Sequence, residues 1–187
     1  MLHRLITNWV YGGFLAGLLL LLLTSTLTHS WPAALTATYL CLPIYMLHQY
    51  EEHDDDRFRQ FFNGMVGKSR KGLSLGAVFL INVPAVWGAI GISLALAASV
   101  NIGFGLIAVY LLLVNAVVHI AHAIAYRGYN PGLGTAIALF LPLGGYGVYA
   151  IQQAGGGSVG MHLTGLVFAV ASHAAIVVHA MSKAKAA

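Results

Sequence analysis

The chain has 187 residues, of which 59% are hydrophobic and only 7% are charged, and its formal net charge is +4. Soluble domains carry about 25% charged residues, so this composition excludes a water-soluble globular protein and indicates an integral membrane protein. The positive residues form no basic stripe, which excludes the usual signature of a nucleic-acid-binding protein. We expect residues 1–187 to form one transmembrane helical domain in the inner (plasma) membrane of a bacterium.

Six apolar segments are long enough to cross the hydrocarbon core, which takes about 20 residues of α-helix. The sequence therefore predicts an all-α polytopic membrane helix bundle with about six transmembrane helices. In chain order the predicted spans cover residues 9–27, 32–50, 73–98, 102–126, 131–151 and 159–181.

The positive charges indicate how this bundle is oriented. All nine Lys and Arg residues fall in the two tails and in the loops after the second and fourth predicted spans, which is one side of the membrane. The positive-inside rule makes that side cytoplasmic, so we expect both termini in the cytoplasm. These residues are Arg4, Arg57, Arg59, Lys68, Arg70, Lys71, Arg127, Lys183 and Lys185.

The loop after the second span has a helical pattern of its own. Phe58, Phe61, Phe62 and Met65 recur at positions i, i+3, i+4 and i+7, with charged or polar residues between them. This pattern predicts a short amphipathic helix around residues 55–67 that lies on the cytoplasmic leaflet.

All five carboxylates of the chain lie in the stretch YMLHQYEEHDDD, residues 45–56. Glu51 and Glu52 end the second span, one turn after His48, and helical geometry places the three side chains within an arc of about 100°. Two neighbouring carboxylates repel each other unless a cation lies among them, so we interpret this cluster as a metal or catalytic site. Residues 54–56 are interpreted as a solvated cap of the interfacial helix.

Six of the nine histidines are expected at one membrane depth. The second, fourth and sixth spans run from outside to inside, so their C-terminal halves meet near the cytoplasmic surface. In the fourth span Asn115, His119 and His122 share an arc of about 60°. A lone intramembrane histidine more often bonds a neighbouring helix, so whether His173 or His179 of the sixth span joins a site stays open.

The two clusters together predict a metal centre, because ionisable groups inside a span are costly and usually functional. Glu51 and Glu52 are also the candidate catalytic groups. Three further residues are placed around the ligands, Asn115 as an orienting partner, His179 near the surface and His53 pointing away from the arc. The predicted ligands are His48, Glu51, Glu52, His119, His122 and His173.

These residues resemble a known family. The run His48-Gln-Tyr-Glu51-Glu52 matches the motif of the HXXEE-domain membrane proteins, and Asn115-Ala-Val-Val-His119 is similar to their second signature, NxxxH. The segment YNPG, which begins at Tyr129, also resembles that family. The resemblance implies that both motifs supply the functional set, together with a further histidine, either His122 or His173. It implies no substrate.

We expect a metal-dependent membrane enzyme, and a non-haem iron oxygenase or hydroxylase is the first hypothesis. One or two iron ions would lie at the cytoplasmic leaflet, where a lipid or hydrophobic small molecule enters and a soluble donor supplies electrons. Imidazoles with carboxylates also suit manganese or zinc, and zinc with a glutamate base would make the protein a membrane hydrolase. The third hypothesis is a proton-coupled carrier, which the position of the cluster at one end of the bundle disfavours.

Overall fold

The computed structural model of the chain describes residues 1–66 and 72–185. Of these residues 88% are helical and none lies in a strand, which confirms the predicted all-α class. A short segment, Thr24–Thr28, follows the first helix, and one 3-10 turn, Asp54–Asp56, joins the second to the third. The helices are α1 (Leu2–Leu22), α2 (Ala33–His53), α3 (Arg57–Val66), α4 (Leu75–Ser99), α5 (Ile102–Tyr126), α6 (Leu133–Gln153) and α7 (Val159–Lys185).

Five of these helices, α1, α4, α5, α6 and α7, are long and apolar enough to cross a membrane. The helix of the second predicted span, α2, has 21 residues but is more polar, because Thr36, Thr38, His48 and Gln49 lie within it. The count of six crossings and the cytoplasmic termini therefore stay predictions. Part of the charge pattern on which they depend, Lys68, Arg70 and Lys71, lies outside the described residues.

The helix α2 lies at the centre of the bundle and packs against α1, α3, α4, α5 and α6. The hydrophobic core lies between it and the neighbouring α5 and α6, where Leu106, Val109, Leu112, Phe140 and Ile151 are fully buried. The last helix, α7, packs mainly on α5. Since α2 is surrounded by protein, its polar side chains meet side chains of other helices rather than lipid.

A helix forms where the interfacial helix is predicted: α3 begins at Arg57 and ends at Val66, while Gly67 lies outside the described residues. Its position on the cytoplasmic leaflet stays a prediction. Its aromatic face lies against protein. Phe58 and Phe62 pack on a small cluster of buried residues that includes Leu73 and Ala180. The helix therefore covers the end of the bundle at which α2 terminates.

The middle of α4 contains a π-helical segment, Ile81–Trp87, with Pro84 inside it. Proline has no N–H and breaks the regular ladder of backbone hydrogen bonds, and such π-helical turns often mark functional regions. Here the segment presents two side chains to α2. Gln49 donates to Asn82 Oδ1 at 2.9 Å and accepts from Trp87 Nε1 at 2.6 Å. These bonds fix the rotation of α2 next to His48.

Close packing of α1 on α2 depends on Gly17. A Cβ atom at this position would lie 2.9 Å from Met46 Cβ and 3.1 Å from the Pro43 carbonyl oxygen, whereas one at Gly12 would meet no atom within 4 Å. We expect Gly17→Val to lower the free energy of unfolding by about 1–3 kcal/mol, the usual cost of overpacking. Gly12→Val is the matched control on the same helix. Thermal unfolding of both variants in detergent, followed by circular dichroism, measures the difference, and equal midpoints would contradict this packing.

Candidate metal centre

Three buried side chains, His48, Glu52 and His119, form a group that could hold a metal ion. His48 and Glu52 lie one turn apart on α2, and His119 faces them from α5. The Nε2 atom of His48 lies 3.6 Å from Glu52 Oε2, and the Nε2 atom of His119 lies 3.5 Å from Glu52 Oε1. One ligand atom from each residue lies within 4.8 Å of the other two.

A hydrogen bond to Asn130 determines the tautomer of His119. The Asn130 side-chain nitrogen donates to the His119 carbonyl oxygen at 3.0 Å, so its oxygen is the atom that faces the ring. That oxygen lies 2.5 Å from His119 Nδ1 and can only accept. A neutral His119 therefore carries its proton on Nδ1 and directs the lone pair of Nε2 towards Glu52.

The tautomer of His48 is determined in the same way by Thr135 and Glu51. The Thr135 hydroxyl donates its proton to Glu51 Oε2 at 2.5 Å, because a carboxylate only accepts. The same hydroxyl lies 2.8 Å from His48 Nδ1 and so accepts from it. His48 is therefore also protonated on Nδ1. Its Nε2 atom is buried and has no hydrogen-bond partner among the described residues.

The centre of the group thus contains two imidazole lone pairs and one carboxylate that face each other. Among the described residues one proton donor reaches it, His53 Nε2, at 3.0 Å from Glu52 Oε2. A buried carboxylate without full compensation costs several kcal/mol, and a lone pair left unpaired adds to that cost. A cation between the three residues would remove both costs, so the residues present fit a divalent metal ion.

Glu51, predicted as a ligand and catalytic group, lies outside this group. Its carboxylate accepts four hydrogen bonds, from the Tyr129 hydroxyl at 2.7 Å, the Gly134 amide at 3.0 Å, the Thr135 amide at 2.6 Å and the Thr135 hydroxyl. Burial, followed by the hydrogen bond to Glu51 and its charge, raises the pKa of Tyr129, which stays a donor at neutral pH. Glu51 therefore anchors the start of α6.

The other predicted ligands have other partners. His122 lies 3.0 Å from Met65 Sδ through Nε2 and stacks on Tyr126. His173 donates from Nδ1 to the Ala169 carbonyl oxygen at 2.8 Å, within its own helix. The structure therefore brings together three of the six predicted ligands.

The three residues predicted to surround the ligands lie in different environments. Asn115 is buried, lies one helical turn before His119 and donates to the Tyr45 hydroxyl at 3.1 Å. His179 is exposed. His53 does not point into solvent: it is 7% exposed, because its ring packs between Trp9 and Phe58.

Several residues that shape the site were not predicted as part of it. Besides Asn130 and Thr135, the ring of Phe140 lies 4.3 Å from the His48 ring, centroid to centroid. Gly132 has φ +97°, and a Cβ atom there would lie 2.8 Å from Cε1 of both His48 and His119. Only glycine meets both conditions without strain. The segment YNPG contains Asn130 and Gly132 and so carried a signal for these two residues, but the sequence alone does not show that it folds over two distant helices.

A family model described as "Protein of unknown function with HXXEE motif" matches residues 39–147, which is more than half of the chain. The match includes all three members of the metal-binding group and the residues Asn130 and Thr135 that orient them. No curated protein and no solved structure matches the chain. The predicted family is confirmed: the chain belongs to the family of proteins with the HXXEE motif, whose description assigns no function.

Proposed function

We propose that this protein is a membrane metalloenzyme that holds one divalent ion between His48, Glu52 and His119. The observation that carries the proposal is the arrangement of the two rings. His119 donates a hydrogen bond from Nδ1 to Asn130, before α6, and His48 donates one from Nδ1 to Thr135, at the start of α6. Both Nε2 lone pairs therefore face one buried carboxylate. Such outer hydrogen bonds are typical of metal-binding histidines.

The number of available ligands favours one ion rather than two. A second ion would need Glu51, whose oxygens already accept four hydrogen bonds, or the rings of His122 and His173, which have partners elsewhere. Three protein ligands leave coordination positions for an exogenous molecule, which is typical of catalytic rather than structural sites.

Two histidines and one carboxylate with open positions are the ligand set of non-haem iron(II) oxygenases. We therefore propose iron(II) and the hydroxylation of a lipid or other hydrophobic molecule, with zinc or manganese as the alternatives. Bound iron(II) would supply the activation of O₂. Insertion of one oxygen atom into a C–H bond, with the other leaving as water, takes two electrons and two protons, which a soluble donor would provide.

The residues of the chain would prepare and protect this site. Asn130 and Thr135 hold the two imidazoles in the binding tautomer, and His53 supports the carboxylate through Glu52 Oε2. Phe140 packs on the His48 ring, and Gly132 lies close to both rings. A zinc hydrolase would need Glu51 as its general base, but the carboxylate of Glu51 already accepts four hydrogen bonds. This favours the oxygenase.

We place the site on the cytoplasmic side of a bacterial plasma membrane from the Lys and Arg pattern.

The two glutamates of the motif allow a sharp test. We expect wild-type protein, purified in detergent, to contain an equimolar amount of metal by elemental analysis. Glu52→Gln should lose it, because the isosteric amide removes the charge between the imidazoles. Glu51→Gln should retain it when metal is in excess, because Glu51 lies outside the group.

His173→Ala is the control for loss of an intramembrane histidine, and it should retain the metal. Wild-type protein that stays metal-free after reconstitution with Fe(II), Mn(II) and Zn(II) would contradict the proposal and favour a proton-coupled carrier. Native zinc in place of iron would favour the hydrolase.

A second test concerns the hydrogen bond between Thr135 and His48. Thr135→Val keeps the size of the side chain but removes the hydroxyl, so His48 loses the partner of its Nδ1 proton. We expect the affinity for metal to fall by about 10–100-fold, the usual effect of removing an outer-shell partner. Thr135→Ser, which keeps the hydroxyl, should bind nearly as tightly as wild type. Titration against a competing chelator measures both, and equal affinities of the two variants would show that the hydroxyl does not orient the ring.

A further inference from the structure

A long groove lies on the surface of the bundle, away from the three metal-binding residues. Its floor is formed by α5 at Leu111, and its walls are formed by α4 and α7, which both pack on α5. Its volume is about 750 Å³, within the range of about 300–1,000 Å³ that is typical of ligand sites. None of the metal-binding residues lines it.

Small side chains on both walls leave the space that forms the groove. It extends along α4 from Ser74 to Ala89 and along α7 from Phe168 to His179, which corresponds to about 16–22 Å at 1.5 Å per residue. The small residues that line it are Gly76, Ala77, Ala85, Ala89 and Ala175.

The shape of the groove determines what can fill it. With a volume of 750 Å³ over about 20 Å, its mean cross-section is about 40 Å², roughly half that of an α-helix about 10 Å across. A single hydrocarbon chain fits this space along its length, whereas a transmembrane helix of a second copy would cover the opening rather than fill the groove. Both walls belong to helices that are long and apolar enough to span a membrane and that are largely exposed, so the groove opens towards lipid.

The polar groups of the groove are unevenly distributed. Ser74, at the N-terminus of α4, and the exposed His179, near the C-terminus of α7, lie at the same end because the two helices are antiparallel. Apart from Ser172, the remaining lining residues are apolar. One polar end and a long apolar body match an amphiphile whose chain lies along the groove.

We infer that this groove binds one acyl chain of a membrane phospholipid, with the head group at the end of Ser74 and His179. This site is separate from the proposed metal centre and does not depend on it. The two nevertheless share a helix, since α5 carries both Leu111 and the ligand His119.

Two neighbouring alanines of α7 provide a matched test. Ala175 lines the groove and Ala174 does not, and both are exposed. The protein is placed in phosphatidylethanolamine–phosphatidylglycerol vesicles that contain a trace of phospholipid with a photoactivatable diazirine in its acyl chain. After illumination, mass spectrometry of the peptides locates the labelled residues. We expect labelling to concentrate on the groove faces of α4 and α7.

Ala175→Phe should reduce this labelling by about tenfold, equivalent to about 1.4 kcal/mol of lost binding, and Ala174→Phe should leave it unchanged. Ala85→Phe, on the opposite wall, should reduce labelling as Ala175→Phe does. Agreement between the two variants would show that the loss does not come from misfolding of either one. Labelling spread evenly around α7, or equal labelling in the Ala174 and Ala175 variants, would overturn the inference. So would crosslinks that join the groove to a second copy of the chain.

Discussion

The negative charge of Glu52 is buried between two imidazole rings, and the surrounding structure depends on how that charge is compensated. If either ring carried a proton on Nε2, it could donate to the carboxylate and the pair would be satisfied without a metal. Asn130 and Thr135 oppose this, because both hold the proton on the other nitrogen. With both rings neutral, the fold thus brings two acceptor nitrogens to a carboxylate that has one donor, His53, and a cation at the centre would compensate the rest of the charge. Preorganisation of this kind is expected where binding of an ion, rather than packing, is the purpose of the site.

The two glutamates of the motif illustrate a division of labour between adjacent residues. Glu52 faces the ring nitrogens, while Glu51 holds the start of α6 through two backbone amides and the Thr135 hydroxyl. Glu51 therefore acts on His48 indirectly, through Thr135. These hydrogen bonds connect α2 to the start of α6. The ligands lie on α2 and α5, and α6 contributes the residue that orients His48. The motif letters alone do not distinguish the two roles, since both are carboxylates on one helix end.

Much of the fold could be predicted from the sequence, because apolar length and the positions of prolines and charges are local signals. The observed α4, α5 and α6 lie within about two residues of their predicted bounds. The facing of His48 towards His119 followed from helical periodicity and from the shared direction of their helices. Periodicity does not distinguish Glu51 from Glu52 as the ligand, because an arc of about 100° contains both. The rotation of α2, which decides between them, is set by tertiary hydrogen bonds such as that of Gln49 to Asn82. The packing of α7 likewise depends on contacts that no local pattern encodes, which leaves His173 outside the group.

The protonation of the two rings tests the central claim most directly. Protein labelled with ¹⁵N only in histidine, prepared without metal in lipid bilayers, allows the ring nitrogens to be assigned by solid-state NMR, with His48→Ala and His119→Ala identifying the signals. A preorganised site predicts that both rings carry their proton on Nδ1 and that addition of a divalent metal ion shifts both Nε2 signals together. If either ring carries its proton on Nε2, with the signals unchanged by metal, Glu52 is satisfied by hydrogen bonds and the group is a structural network rather than a metal centre.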